Sequence, residues 1–126
     1  MATVVPTVKS LGEGSVREYT YAITTANYDG SPFEMPEWAD VTWCVVGSNW
    51  GGATLKIQGS YDGTTWGSPI VGLKDAGGGT EASAAADKCF TIVERPRFVR
   101  PILTTVGTAA VVTVVALARR SQPIRV

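Results

Sequence analysis

The stretch that decides the fold reads Leu55-Lys56-Ile57-Gln58-Gly59-Ser60-Tyr61-Asp62-Gly63-Thr64-Thr65-Trp66. Apolar and polar residues alternate from Leu55 to Gln58, which is the period of a half-buried β-strand. Asp62-Gly63 follows, and glycine supplies without strain the positive φ that tight hairpin turns need. A large aromatic residue, Trp66, closes the segment. The stretch therefore predicts a strand over 53–61 that runs into a hairpin turn.

Period-two alternation recurs in five other parts of the chain, and each of them predicts a strand. These segments are residues 16–24, 40–48, 88–93, 97–104 and 110–118. Shorter strands are expected at 65–68 and 70–73, and an edge strand near 3–9. Pro101 should place its strand at an edge or a bulge, because proline cannot donate to a strand ladder.

Segments rich in turn-forming residues separate these strands. Residues 49–52 predict a hairpin loop, whereas 26–39 and 75–86 predict long loops. The pattern as a whole predicts a single antiparallel β-sandwich, jelly-roll-like, with seven or eight strands and extended termini. The expected parts are an N-terminal arm or edge strand, the sandwich domain and a basic C-terminal tail, at residues 1–15, 16–118 and 119–126.

The apolar faces of the predicted strands should meet in one core. The expected core residues are Tyr21, Ile23, Val41, Trp43, Val45, Leu55, Ile57, Phe90, Ile92, Phe98, Ile102, Val112, Val114 and Ala116. Trp66 is also expected to be buried. Tyr28, Phe33, Trp38 and Trp50 lie in predicted loops, where rigid aromatic residues either plug the end of a sandwich or anchor a partner.

The composition suggests that part of the surface meets a partner. Charged residues make up 17% of the 126 residues, against about 25% in typical domains, although a polar Thr/Ser/Gly surface would give the same value. Residues 1–94 carry a net charge of −6 and residues 95–126 carry +6. The basic end either pairs with acids of its own domain or docks on an acidic partner. Nucleic acid is not expected, because no net positive charge drives it.

The residues for common enzyme chemistry are largely missing. The chain has no histidine and no phosphate-binding glycine loop. Asp29-Gly30 and Asp62-Gly63 are typical of turns in which the Asp side chain caps local amides. Glu34, Glu37 and Asp40 are close in sequence, but such loop acids are usually solvated. We therefore expect no enzyme, no cofactor and no metal site.

The cysteines and the apolar segments bear on the compartment. Cys44 and Cys89 lie in predicted strands, and synthesis in the cytosol favours two free, buried thiols over a disulfide. The N-terminus lacks the basic and apolar regions of a signal peptide. The apolar run 106–118 is shorter than the ~20 residues of a spanning helix. A membrane partner is therefore not expected.

Residues 57–66, followed by Arg97-Phe98-Val99-Arg100-Pro101 and a Val-rich strand ending Ala118-Arg119-Arg120, resemble small structural proteins of tailed bacteriophages. In particular they resemble capsid cement or decoration proteins. The matching segments cover 53–66 and 95–120. The first segment is also similar to discoidin and galactose-binding-like β-sandwiches, which share a Ser-x-Asp-Gly-x-x-Trp turn that mainly supports the fold.

The resemblance implies a non-enzymatic virion protein that binds the outer surface of a phage capsid and stabilises it. Such a protein would be made in the host cytoplasm and would reside on the capsid surface. Its partners would be the major capsid protein and further copies of itself, as a dimer or trimer on the shell. The alternative is a carbohydrate-binding or host-recognition module on a tail or head fibre. A tail-tube, neck or head-fibre base protein is a third possibility.

Contacts with the shell are expected from the two termini, together with the loop aromatic residues. The N-terminal segment is too sparsely apolar to form a core but suits the addition of an edge strand to a neighbour. The basic end has no acid nearby in sequence. The candidate contact residues in the termini are Val4, Val5, Val8, Arg119, Arg120 and Arg125. The other possibility is that both ends are free in solution.

Overall fold

The computed structural model describes residues 3–11, 15–35, 40–66, 83–92 and 96–120. Within these ranges all regular secondary structure is β-strand. The strands are β1 (Thr7–Leu11), β2 (Val16–Thr24), β3 (Phe33–Glu34), β4 (Asp40–Asn49), β5 (Thr54–Ser60), β6 (Ser83–Ala84), β7 (Lys88–Thr91), β8 (Phe98–Thr105) and β9 (Val111–Arg119).

The strands form two antiparallel sheets. One sheet has five strands in the order β1-β2-β9-β4-β7, and the other has four in the order β3-β8-β5-β6. The predicted antiparallel β-sandwich is therefore confirmed. The turn at 49–52 was expected to make a hairpin, but it joins β4 of one sheet to β5 of the other. Its tight geometry is nevertheless present, since the Ala53 amide donates to the Trp50 carbonyl at 2.7 Å.

The core lies between the sheets and follows the period of two. Tyr21, Trp43 and Val114 are at most 1% exposed, and they point inward from three adjacent strands because alternate side chains share a face. Twelve of the fourteen expected core residues are buried; Ile92 and Phe98 are only partly buried.

The register of β8 corrects the sequence prediction. Val99 and Leu103 belong to the core cluster, so Phe98 and Ile102, which alternate with them, lie on the other face of the sheet. Ile102 is still buried, because both faces of this strand are covered in its middle. A shift of one residue exchanges the two faces of a strand, and apolar residues on both faces of β8 hide the difference.

Pro101 also departs from the expectation, since β8 lies between β3 and β5 rather than at an edge. The Gly30 amide donates to the Pro101 carbonyl at 2.8 Å. A Cβ on Gly30 would lie 2.8 Å from the proline ring and from the Tyr21 ring, which is too close for any side chain. Glycine at this position therefore lets the proline pack inside the sheet.

The N-terminal segment crosses from one sheet to the other. The Val4 amide donates to the Asp29 carbonyl and the Ser31 amide donates to the Val4 carbonyl, both at 2.8 Å. These bonds attach residue 4 beside the four-stranded sheet. After Val5 and Pro6 the chain enters β1, which pairs with β2 from Thr7–Thr20 to Leu11–Val16 in the five-stranded sheet. The expected edge strand is present, displaced toward the C-terminus.

Cys44 and Cys89 form a disulfide, so the expectation of two free, buried thiols is wrong. The two residues are direct partners in the β4–β7 ladder, with their Cα atoms 4.1 Å apart. Their side chains alternate with Trp43 and Phe90, which point inward, and therefore lie on the outer face of the five-stranded sheet. The sequence placed both cysteines in strands but gave no information on the strand pairing.

Candidate interaction surfaces

β1 is the most exposed strand; of the N-terminal candidate residues it contains Val8, whereas Val4 and Val5 precede it. Val5 is 78% exposed and Val8 is 51% exposed, whereas Val4 is partly buried against the core. Among the described strands β1 pairs only with β2. Its other edge therefore presents backbone amide and carbonyl groups to any strand that approaches.

The loop aromatic residues pack on their own domain where the structure describes them. Phe33 is 7% exposed and stacks on Tyr19, with ring centroids 4.1 Å apart and planes 7° from parallel. Tyr28 and Trp50 are partly buried against the same core. Of the two roles considered for Phe33, the structure therefore supports the core plug. Trp38 lies outside the described residues.

Trp50 is held in place by the acidic side chain of the residue that precedes β7. Asp87 Oδ1 accepts a hydrogen bond from the Gly47 amide at 2.9 Å and another from Trp50 Nε1 at 3.0 Å. Both bonds lower the pKa of Asp87 below its ordinary value, and the bond from Gly47 has the larger effect. Each bond favours the charged carboxylate. These contacts tie the β4–β5 turn to the strand beside it.

The basic residues at the end of β9 belong to the sheet. Arg119 is the last residue of β9 and lies in register with Val16 of β2. The Arg120 amide donates to the Ser15 carbonyl at 3.0 Å. Both arginines are exposed, so the basic C-terminal region begins within the sandwich instead of after it. Arg125 lies outside the described residues.

A charged network covers the outer face of the four-stranded sheet, where no functional residue was predicted. Arg100 donates to Gln58 Oε1 from Nε at 3.0 Å and from Nη2 at 2.8 Å. Its Nη1 lies 3.4 Å from Asp29 Oδ2, and its guanidinium lies 4.1 Å from the centre of the Trp66 ring. Gln58 is only 1% exposed. The arginine therefore joins two strands and the segment after β5.

The network corrects two expectations. Trp66 was expected in the core between the sheets, but its ring covers Arg100 on the outer side. Asp29 was expected to cap a turn, but its Oδ2 faces Arg100 and its buried Oδ1 has no hydrogen-bond partner. Burial lowers the pKa of Arg100 and the Asp29 carboxylate opposes this change. Gln58 and Arg100 are direct partners in the β5–β8 ladder. Their contact could not be predicted from the sequence, because the register of these two strands was not known.

The turn after β5 is closed by an Asp side chain, as the sequence predicted. Asp62 Oδ1 accepts from the amides of Thr64 and Thr65 at 2.9 and 2.8 Å. These bonds lower the pKa of Asp62 well below its usual range, and the bond from the Thr64 amide has the largest effect. Thr65 and Trp66, where the returning strand of the expected hairpin should begin, lie outside any strand. The rest of the strand expected at 65–68, and all of the strand expected at 70–73, fall outside the described residues.

No group of three or more potential metal ligands occurs within the described residues. That part of the chain also holds no helix long and apolar enough to cross a bilayer. No known protein family matches the sequence, and searches of curated proteins and of solved structures found no similar protein.

Proposed function

We propose that this chain is a structural protein of a phage virion that binds the outer surface of the capsid and stabilises it without catalysis. The observation that carries the proposal is the exposed edge strand β1, which contains the exposed Val8 and is preceded by the exposed Val5. An unpaired edge with exposed apolar side chains can accept a strand from a neighbouring protein. The resemblance of 53–66 and 95–120 to cement proteins points to the capsid as that neighbour.

We read the strand order as a jelly roll, which supports the same function by analogy. The relevant strand orders are β2-β9-β4-β7 in one sheet and β3-β8-β5-β6 in the other. From β2 to β9, each strand lies in the opposite sheet from the strand before it, except that β5 and β6 lie in the same sheet. Jelly rolls occur in viral capsid proteins and also in lectins. Because one fold hosts several functions, the strand order supports equally the alternative function, a carbohydrate-binding or host-recognition module.

The proposed mechanism uses the rigidity of the sandwich. Strand addition at β1 would form backbone hydrogen bonds with a capsid subunit, and Val5 and Val8 would bury apolar surface beside them. Arg119 and Arg120 would contribute attraction to acidic groups of the shell, an effect that salt screens within ~10 Å. A rigid module fixed at several points loses little entropy on binding.

The first test is the number of copies in a purified virion. A count near that of the major capsid subunit supports the proposal. A few copies at the tail or at a fibre would instead support the rival, a carbohydrate-binding or host-recognition module. One observation favours that rival: Tyr61 is 74% exposed, and an exposed aromatic ring can stack on a sugar.

The second test uses a pair of matched variants. Val8→Lys changes the β1 edge, and Tyr61→Lys changes an exposed residue elsewhere. Both should fold as the parent does, because both side chains are more than half exposed. We expect Val8→Lys to weaken shell binding at least about tenfold, since a charge enters an apolar contact, while Tyr61→Lys binds shells as the parent does.

The opposite pattern would refute the edge-strand mechanism. If Tyr61→Lys loses binding to glycans on an array and Val8→Lys keeps full binding to shells, the sugar-binding module is favoured. If Val8→Lys and the parent decorate shells equally at low and high salt, β1 is not the contact.

A further inference from the structure

The outer face of the five-stranded sheet is unusually poor in charge. In one row across the sheet lie Ala22, Thr113 and Val46, from β2, β9 and β4. The next row holds Thr20, Val115 and the Cys44–Cys89 disulfide. A third row runs Glu18, Leu117, Thr42 and Thr91. We call these positions the outer sheet face.

This face is open to solvent among the residues that the structure describes. Val46 is 57% exposed, and Val111, which begins β9 next to the first row on the same side of the sheet, is 48% exposed. Thr113, Ala22 and Cys89 are also exposed. An apolar and threonine-rich surface of this kind on a sheet is a feature of interaction sites.

We propose that the outer sheet face is the contact surface for a second copy of this chain. A two-fold symmetric dimer needs a patch that is complementary to itself. The centre of this face meets that need, because its valines and leucine are apolar. Its polar groups are mostly threonine hydroxyls, each of which both donates and accepts. Two identical faces can therefore pair without leaving donors opposite donors.

Charge is compatible with this pairing. Glu18 is the one acidic residue in the three rows, and it lies in register with Lys9 of β1, at the sheet edge. Arg119 lies at the rim, at the end of β9. The centre therefore carries no repelling charge, and the opposite charges at the β1 edge balance locally. Apolar centres with charged rims are the usual arrangement of protein interfaces.

The area is sufficient for a stable dimer. The whole outer side of the five-stranded sheet, which is the outer sheet face together with β1 and the charged rim, is about 24 Å wide at ~4.8 Å per strand, and strands averaging about seven residues at ~3.4 Å give a similar length. The flat area is then about 600 Å² per copy. Two copies would bury roughly 1,200 Å², which reaches the lower limit of standard interfaces. The disulfide adds to this area by holding the short edge strand β7 against β4.

The test measures the oligomeric state of the purified, oxidised chain without any capsid. Sedimentation equilibrium of the parent should give a dimer at micromolar concentrations. Thr113→Arg places a charge in the centre of the outer sheet face, where two copies would meet. Because like charges across an interface cost several kcal/mol, we expect the dimer dissociation constant to rise at least about 100-fold. Far-UV circular dichroism should confirm that the variant folds.

Tyr61→Arg is the matched control, since it adds the same charge at an exposed site away from the outer sheet face, and it should remain a dimer. A second charged variant, Val46→Arg, changes a side chain in the same row that is 57% exposed; it should weaken the dimer in the same way and covers the case in which Thr113→Arg fails to fold. The proposal is overturned if the parent is monomeric at about 100 µM. It is also overturned if Thr113→Arg dimerises as tightly as the parent. Because no shell is present, failure here leaves the capsid-binding test of Val8→Lys unaffected.

Discussion

Replacement of Arg100 by methionine should destabilise the domain far more than the same change at Arg97. Both arginines lie in or next to β8, and each faces a carboxylate and an aromatic ring. Arg100 lies 3.4 Å from Asp29 with side chains 14% and 13% exposed, whereas Arg97 lies 3.5 Å from Glu34 with side chains 60% and 56% exposed. The pair of variants therefore compares a buried network, which includes the two hydrogen bonds to Gln58, with an exposed ion pair.

The magnitude follows from the groups that each change leaves behind. Without Arg100, the oxygen of the buried Gln58 loses both donors, which costs about 1–3 kcal/mol. Asp29 keeps a buried charge without its partner, and the Trp66 ring loses a cation worth roughly 1 kcal/mol. Since these terms are not additive, we expect a total loss of about 3–5 kcal/mol. The exposed Arg97 pair should contribute less than about 1 kcal/mol.

Urea unfolding of the parent, Arg100→Met and Arg97→Met at pH 7 provides the assay. For a chain of this size the Arg100 loss also corresponds to a fall in Tm on the order of 10–20 °C. Arg100→Lys keeps the charge but not the planar fork, so its stability should lie between those of the parent and Arg100→Met. Equal losses from Arg100→Met and Arg97→Met would refute the reasoning, because burial would then not decide the energy.

Two other predictions concern Cys89 in β7 and Asp87, the residue before this strand. The oxidised, denatured chain should show no reactive thiol. Reducing the Cys44–Cys89 bridge, whose partners are 45 residues apart, should lower stability by up to about 4 kcal/mol; two titratable thiols before reduction would contradict the disulfide. Asp87 has a lowered pKa in the folded state, so its contribution to stability is present above about pH 4 and is lost as the pH falls through the folded pKa. Asp87→Asn should therefore reduce the loss of Tm between pH 5 and pH 2, and an unchanged pH profile would argue against the contact with Trp50.

The sequence predicted the strands well where one face is apolar and the other is not. Residues 16–24 were expected as a strand and are β2, because Tyr19, Tyr21 and Ile23 alternate with smaller or polar residues. In β8 the alternation gives no such contrast, since Phe98 and Ile102 are as apolar as Val99 and Leu103. The inward face of that strand is set by its pairing with β5, which is not a local property.

Pairing also explains what could not be predicted of the candidate surfaces. The disulfide, the Arg100 network and the outer sheet face each join residues far apart in sequence, and each depends on a strand register. Local chemistry was more informative: the turn at Asp62 has the capping bonds expected from Asp-Gly. The exposure of Val5 and Val8 agrees with the sparse apolar pattern of the N-terminal segment.

The path of the first residues has a mechanical consequence. Val4 is hydrogen-bonded beside one sheet and β1 is paired in the other, with only Val5 and Pro6 between them. A pulling force applied at the N-terminus would therefore reach the four-stranded sheet first, through two hydrogen bonds at Val4. Only after these break would the load pass to the β1–β2 ladder. The chain should yield in two steps under tension, with the smaller step detaching residue 4 while the core stays closed.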